Sequence, residues 1–243
     1  MTFPIRAITL DLDDTIWPVV PSIVRAEAAL DAWLREHAPR TAARWPMEAR
    51  RVLREQVDAE HPHLSHDFTR QRLITLERML REAGDDVGLV DAAFEAYFAA
   101  RCEVEHYADS VDALERMAAR VPLAALSNGN ACLTRIGLMP LFRFQLGARE
   151  HGCAKPDPSI FLAACARLQC EPAQVLHVGD DIETDVVGAH RAGLRTCWIN
   201  RVEHADPVRR WPRDDVRPDL EFPTLAALAD WLDAAQLPDA ANA

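Results

Sequence analysis

Lysine is almost missing from this chain: of 27 lysines and arginines, only Lys155 is a lysine. A chain this biased toward arginine keeps a lone ammonium where a planar guanidinium would not serve. An excess of basic charge is missing too. The formal net charge of −11 argues against a nucleic-acid footprint and would repel anions at long range, so any anion site must be made positive locally. The six cysteines form no C-x-x-C pair and no compact framework, which points to reduced thiols in a cytoplasm. No run of 18 apolar residues occurs, and the N-terminus lacks a basic segment followed by an apolar one. A secreted or membrane-spanning chain is therefore not expected.

What is present is ordinary in bulk and unusual in arrangement. With 243 residues, 49% hydrophobic and 27% charged, the chain can bury one large core or two smaller ones. Ile5, Ala7, Ile8, Leu10 and Leu12 read as a strand buried on both faces, and Asp11, Asp13, Asp14 and Thr15 crowd its end. Buried carboxylates are costly unless something pairs with them. Residues two apart share one side of a strand, so Asp11 and Asp13 can face one point. Two converging carboxylates suit a divalent cation, or a nucleophile beside a proton shuttle. Helix capping by Asp13 or Asp14 is the alternative, and it requires only one acid.

From Val19 to about Glu105 the chain reads as helices without a strand: one from Pro21-Ser22, one from Pro46, one over 66–83 stopped by Gly84, one over 86–103. Four helices exceed a simple crossover, so residues 18–106 are expected to form a helical cap domain over the strand ends. Residues 1–17 and 107–243 then make the core domain. From Asp109 onward strands and helices alternate, with strands at 121–126, 144–147, 174–178, 195–200 and 220–222. Helices are expected at 109–120, 130–138, 156–168, 185–192 and 224–235, and a polar loop at 201–218. The expected fold class is α/β, a Rossmann-like doubly wound parallel sheet with an inserted all-helical cap.

Three further clusters lie at strand ends. Ser127-Asn128-Gly129 offers a hydroxyl and backbone N–H groups that could cradle a phosphoryl group, or a plain strand-to-helix turn. Lys155, in Cys153-Ala-Lys-Pro-Asp-Pro158, stands before a helix where a rigid segment could aim its ammonium inward. A solvated surface lysine is the alternative. Gly179-Asp180-Asp181-Ile-Glu-Thr-Asp185 follows an apolar strand. Its glycine permits a sharp turn, and Asp180 stands as a hard oxygen ligand suited to Mg²⁺. Asp181 and Asp185 could orient water on the metal or hold Lys155, while Asp181 or Thr184 could instead cap the next helix.

Taken together, D-x-D-x-T, a strand-ending serine, Lys-Pro and G-D-x-x-x-x-D resemble the haloacid-dehalogenase-like (HAD) phosphohydrolases over residues 5–200. The resemblance implies Mg²⁺ dependence, Asp11 as nucleophile and Asp13 as general acid/base. It implies that Ser127, Asn128, Gly129 and Lys155 bind phosphate, and that Asp11, the main-chain carbonyl of Asp13, and Asp180 hold the metal. S-N-G-N-A, H-G-x-x-K-P, L-H-V-G-D-D and C-W-I look closer to a branch that contains bacterial flavin mononucleotide phosphatases. That branch also acts on the phosphorylated ribitylaminouracil of riboflavin synthesis. His66, Asp67 and Arg70 of the cap look like that branch and would reach a polar substrate tail; an exposed helix start capped by Asp67 or Ser65 reads equally well. His61, His63 and His66 lack a cage that would complete a metal site. A dehalogenase on the same fold needs neither Asp13 nor the Asp180–Asp181 pair, and an idle binding protein would be expected to lose Asp11, Asp13 or Lys155. A phosphomutase shares every core residue. A small phosphate ester is the expected partner, with no nucleic acid and no membrane, in a monomer or homodimer.

Overall fold

The computed structural model describes residues 4–201 and 210–234. The chain separates into two compact units: Met1–Pro18, His106–Asn128 and Gly137–Ala243 form one, Val19–Glu105 and Gly129–Ile136 the other.

The first unit is built on a six-stranded parallel sheet. Its strands are β1 (Ala7–Leu10), β2 (Leu123–Ser127), β3 (Gln145–Gly147), β4 (Val175–Gly179), β5 (Arg195–Ile199) and β6 (Leu220–Phe222). They lie in the order β3-β2-β1-β4-β5-β6. β1, β2 and β4 are buried along their whole length, as a sheet covered on both faces requires. Leu10 pairs with Ala125 of β2 and with Val178 of β4, so β1 sits between them and all three strands end at one edge. Chain order reverses on passing from β1 to β4, and at such a switch point a crevice opens beyond the strand ends. Leu126, Leu146, Ile160, Phe161, Ala164 and Val175 pack as one apolar layer against the sheet.

The second unit is helical. α1 (Val19–His37), α2 (Pro39–Arg44), α3 (Met47–Glu60), α4 (Phe68–Ala83) and α5 (Val90–Arg101) enclose their own core of Leu30, Leu34, Leu76, Met79, Leu80 and Tyr97. α4 starts where the Asp67 carboxylate accepts from the Arg70 backbone N–H, 2.8 Å, and stops at Gly84, whose φ of 78° only glycine adopts cheaply. α2 was not legible in the sequence, because six residues show no apolar period. It is held from outside: the Asp85 carboxylate accepts from the Thr41 backbone N–H at 2.7 Å and from its hydroxyl at 2.8 Å. Among the described residues no helix is long and apolar enough to cross a membrane.

Back in the sheet unit, α6 (Ser110–Arg120) follows the helical unit. The helix expected over 130–138 shrinks to α7 (Leu133–Ile136), and segment 129–136 groups with the helical unit instead of the sheet. α8 (Ala148–His151), α9 (Pro158–Leu168), α10 (Gly188–Arg191) and α11 (Leu225–Ala234) complete the chain. α10 is preceded by a π-helical turn over Ile182–Val187, an irregularity that often marks a functional site. Part of the expected loop 201–218 and the end of the last helix lie outside the described residues.

Candidate active site

β1 delivers Asp11 to the edge of the sheet, where its backbone N–H donates to the Val178 carbonyl of β4 at 2.9 Å. Ser127 is the buried last residue of β2, and Asp180 follows the last residue of β4. Neighbouring parallel strands thus bring the three sequence-distant motifs to one place.

Lys155 completes the group. Its Nζ donates to Asp11 Oδ1 and to Asp185 Oδ1, each at 2.6 Å, and the side chain is 1% exposed. The lone lysine is therefore a buried ammonium between two carboxylates, and the surface alternative fails. Its backbone is fixed by Asn128, whose amide donates to the Lys155 carbonyl at 2.9 Å and accepts from the Lys155 N–H at 2.8 Å. The Asn128 side chain is thus occupied in clamping Lys155, which leaves to its backbone the phosphate role expected from the sequence. Gly129 lies in the segment that groups with the helical unit.

Asp185 is more heavily used than the sequence suggested. Oδ1 takes the Lys155 ammonium and lies 3.2 Å from His177 Nε2, and Oδ2 accepts from the Asp181 N–H at 3.0 Å. Its carboxylate packs so closely on Gly179 that a Cβ there would fall 2.3 Å from Asp185 Cγ. Gly179 is therefore needed for the close approach of Asp185, a reason beyond the sharp turn expected from the sequence.

Asp181 is exposed, and its Oδ1 accepts from the backbone N–H groups of Glu183 and Thr184 at 2.9 and 2.7 Å. It caps the turn after β4, which was the alternative reading. Asp67 likewise caps α4. His66 is half-buried and Arg70 exposed at that helix start. Of the cap aromatics, Tyr97 is buried beneath Arg72 and Phe94 stacks on Phe98, so both serve the helical core, whereas Phe68 is half exposed.

Two contributors escaped the sequence reading. β4, read as apolar, carries buried His177, with Nδ1 2.9 Å from Thr9 Oγ1 and Phe161 edge-on at 5.0 Å. Burial lowers its pKa, so the ring is neutral near pH 7. A neutral ring facing a carboxylate must carry its proton on Nε2, which leaves Nδ1 to accept from Thr9. A histidine inside a buried strand was the available signal. Trp198 of β5 is the second: its Nε1–H donates to the Asp180 carbonyl at 2.8 Å and anchors that loop.

Burial disfavours the Lys155 ammonium, but Asp11 and Asp185 outweigh it and hold its pKa above the ordinary value. For Asp185, burial pushes the carboxyl up, while Lys155 and His177 prevail and hold it well below the usual range. Asp11 goes the other way. Burial, with help from the charges of Asp185 and Asp180, raises its carboxyl far above normal despite Lys155. One carboxylate oxygen from each of Asp11, Asp180 and Asp185 lies within 4.8 Å of the others. This all-oxygen donor set fits a hard divalent cation.

The model of the haloacid dehalogenase-like hydrolases matches residues 5–193. The chain belongs to that family. A curated relative, the 5-amino-6-(5-phospho-D-ribitylamino)uracil phosphatase YigB of Escherichia coli, is 34% identical over 92% of this chain and 94% of its own. Glyceraldehyde 3-phosphate phosphatase of Methanopyrus kandleri is 29% identical over 93% and 96%. A crystal structure of 2-haloacid dehalogenase from Pseudomonas syringae superposes with a TM-score of 0.86 at 35% identity, covering 95% of this chain and 99% of that one. The chain is accordingly an enzyme, a HAD-like hydrolase with an acidic cluster that could hold a metal.

Proposed function

We propose that this HAD hydrolase is a Mg²⁺-dependent phosphatase that cleaves a small phosphate monoester by way of Asp11. The observation that carries the reading is Lys155, buried between Asp11 and Asp185 beside a third carboxylate, Asp180. Three converging carboxylate oxygens beside a buried ammonium suit a hard cation together with a phosphoryl anion.

Asp11 attacks phosphorus, forming an O–P bond as the ester P–O bond breaks. Asp13 gives its proton to the departing oxygen, so an alcohol leaves. The Asp13 carboxylate then takes a proton from water as that water attacks the phosphorus, releasing phosphate and restoring both acids. Lys155 lowers the repulsion between the Asp11 carboxylate and the phosphoryl oxygens, and Ser127 donates to one of them. Asp11, the Asp13 carbonyl and Asp180 would hold Mg²⁺, which when bound would supply further charge neutralisation.

For the substrate we take flavin mononucleotide or the phosphorylated ribitylaminouracil, supported by the 34% identity to YigB and by the motif phrases shared with that branch. From the helical unit, His66 and Arg70 are the candidates to reach a polyol arm; Asp67 is committed to its cap. A 2-haloacid dehalogenase is the second reading, favoured by the 35% identity of that crystal structure. Asp13 and Asp180 weigh against it, because that chemistry needs no acid two residues after the nucleophile.

The test is a screen over flavin, ribityl, nucleotide and sugar phosphates and 2-chloropropionate, with Mg²⁺ or with chelator. Mg²⁺-dependent release of phosphate from flavin mononucleotide is expected. Arg70→Ala should weaken that turnover and spare p-nitrophenyl phosphate. Release of chloride in chelator, without phosphatase activity, would overturn the reading. Activity confined to sugar phosphates would move the substrate to another class.

A further inference from the structure

Asp13 ends in a turn of unusual construction. Asp14 adopts a φ of 59°, a left-handed conformation rare outside glycine, and its N–H donates to the Trp17 carbonyl at 2.7 Å. The Ile16 N–H donates to the Leu12 carbonyl at 2.9 Å, and a parallel bridge links Asp13 with Trp17. The result brings the Trp17 indole back over the start of its own turn, where Nε1–H donates to Asp13 Oδ1 at 2.8 Å.

That donor is held from every side. Trp17 is fully buried, and His106 meets its ring edge-on at 5.9 Å. The Ile16 carbonyl accepts from the Tyr107 N–H at 3.1 Å. Arg201, itself buried, donates to the Thr15 carbonyl at 2.9 Å and to Asp109 Oδ1 at 2.8 Å, with its guanidinium stacked on Tyr107 at 3.9 Å. An aspartate at a turn ordinarily rotates about two side-chain torsions. Here a rigid ring system with no room to move fixes one oxygen of the carboxylate.

We propose that Trp17 is a positioning residue for Asp13, fixing the plane and direction of its carboxyl group for proton transfer to the leaving oxygen. The inference rests on the reading of Asp13 as general acid/base. It does not involve the metal, for which only the Asp13 main-chain carbonyl is assigned. Proton transfer depends on the alignment of donor and acceptor, and a misaligned acid penalises most the leaving groups that depend on it.

The test compares kcat/KM, which covers the steps up to P–O cleavage, for p-nitrophenyl phosphate and for a simple alkyl phosphate. Trp17→Phe keeps a buried ring and removes the donor. It should lose at least about tenfold on the alkyl ester and less than about threefold on the aryl ester, whose leaving group needs little protonation. Replacing Trp17 by 3-benzothienylalanine, which exchanges Nε1–H for sulfur in the same ring frame, should do the same and covers a Phe variant that fails to fold. Asp13→Asn serves as the reference and should show the same selectivity, more strongly. If Asp13→Asn hits both esters equally, the acid/base reading itself fails. If Asp13→Asn discriminates and neither Trp17 replacement does, Trp17 is structural only and the inference is wrong.

Discussion

Both units bury cations, and the lysine is held differently from the arginines. In the helical unit Arg50 is buried, with Nε donating to the Trp45 carbonyl at 2.8 Å, Nη2 on Asp31 and Nη1 without a partner among the described residues. Arg101 is buried against the Ser22 hydroxyl at 3.1 Å. These guanidiniums, like Arg201 of the sheet unit on the Thr15 carbonyl and Asp109, act as struts that spread a wide planar fork over backbone, hydroxyl and carboxylate oxygens. In the sheet unit Lys155 has two carboxylates within 2.6 Å and a third nearby. A compact ammonium fits that space and a guanidinium does not. The difference teaches why one lysine survives in a chain otherwise served by arginine.

The comparison breaks most sharply at Lys155. Lys155→Met leaves buried carboxylates without their cation, and a loss of about 3–5 kcal/mol in unfolding free energy is expected from denaturant titration. Lys155→Arg keeps the charge and should still lose at least about tenfold in kcat/KM, about 1.4 kcal/mol. Near-normal kinetics for the arginine variant would remove the distinction between the lysine and the buried arginines.

Gly179 tests the same packing without touching a charge. Gly179→Ala places a methyl group against the Asp185 carboxylate, and overpacking of this kind costs about 1–3 kcal/mol. Activity should fall with it, because Asp185 orients Lys155. A variant with unaltered melting and kinetics would show that the Asp185 carboxylate has room to move.

Acidity sharpens the comparison next. The Asp11 carboxyl lies above its ordinary 3.8, so the metal-free fold favours its protonated form. That contribution is complete below the unfolded value and is lost as pH rises through the folded one. Asp185 has the opposite sign: its contribution is present above 3.8 and lost as pH falls through its depressed value. Asp11 therefore governs the range above 3.8, where metal-free protein should lose stability as pH rises and Mg²⁺ should restore it. Mg²⁺ at about 100 times its Kd adds about 2.7 kcal/mol. Scanning calorimetry should find the Mg²⁺ increment in Tm larger at about pH 7.5 than at about pH 5. An equal increment at both would contradict the raised pKa of Asp11.

At the far end stand the surface pairs of the helical unit. Arg51 reaches Glu48 at 2.6 Å and also Glu55, all three exposed. Such pairs are screened by solvent. Arg51→Ala should leave the melting midpoint unchanged within error, and a clear loss would show that exposed pairs matter in this unit.

How much of this was legible in advance follows from the physics of each residue. Asp11, Lys155, Asp180 and Asp185 stood out because acids and a lone lysine at the ends of apolar strands have no structural excuse. The parallel sheet was legible from strand–helix alternation, whereas the order of its strands was not. What stayed hidden depends on distance in the chain or on space. Asn128 clamps a residue 27 positions away, and Thr9 meets His177 across two strands. Gly179 reads as a turn until the Asp185 carboxylate is seen against it. Asp181 and Asp67 follow the short-range rules of helix capping, which compete with chemistry for the same residue types. Segment 129–136 groups with helices far from it in sequence, which no local pattern announces.

The central claim is that the phosphoryl group passes through Asp11, and acid-quenched single turnover tests it most directly. With a ³²P-labelled ester, Mg²⁺ and excess enzyme, label is expected on the peptide that carries Asp11, rising and falling within the first turnover. Asp11→Asn should remain folded, show no label and lose at least about a thousandfold in turnover. Label on another residue, or full turnover with Asp11 never modified, would contradict the account.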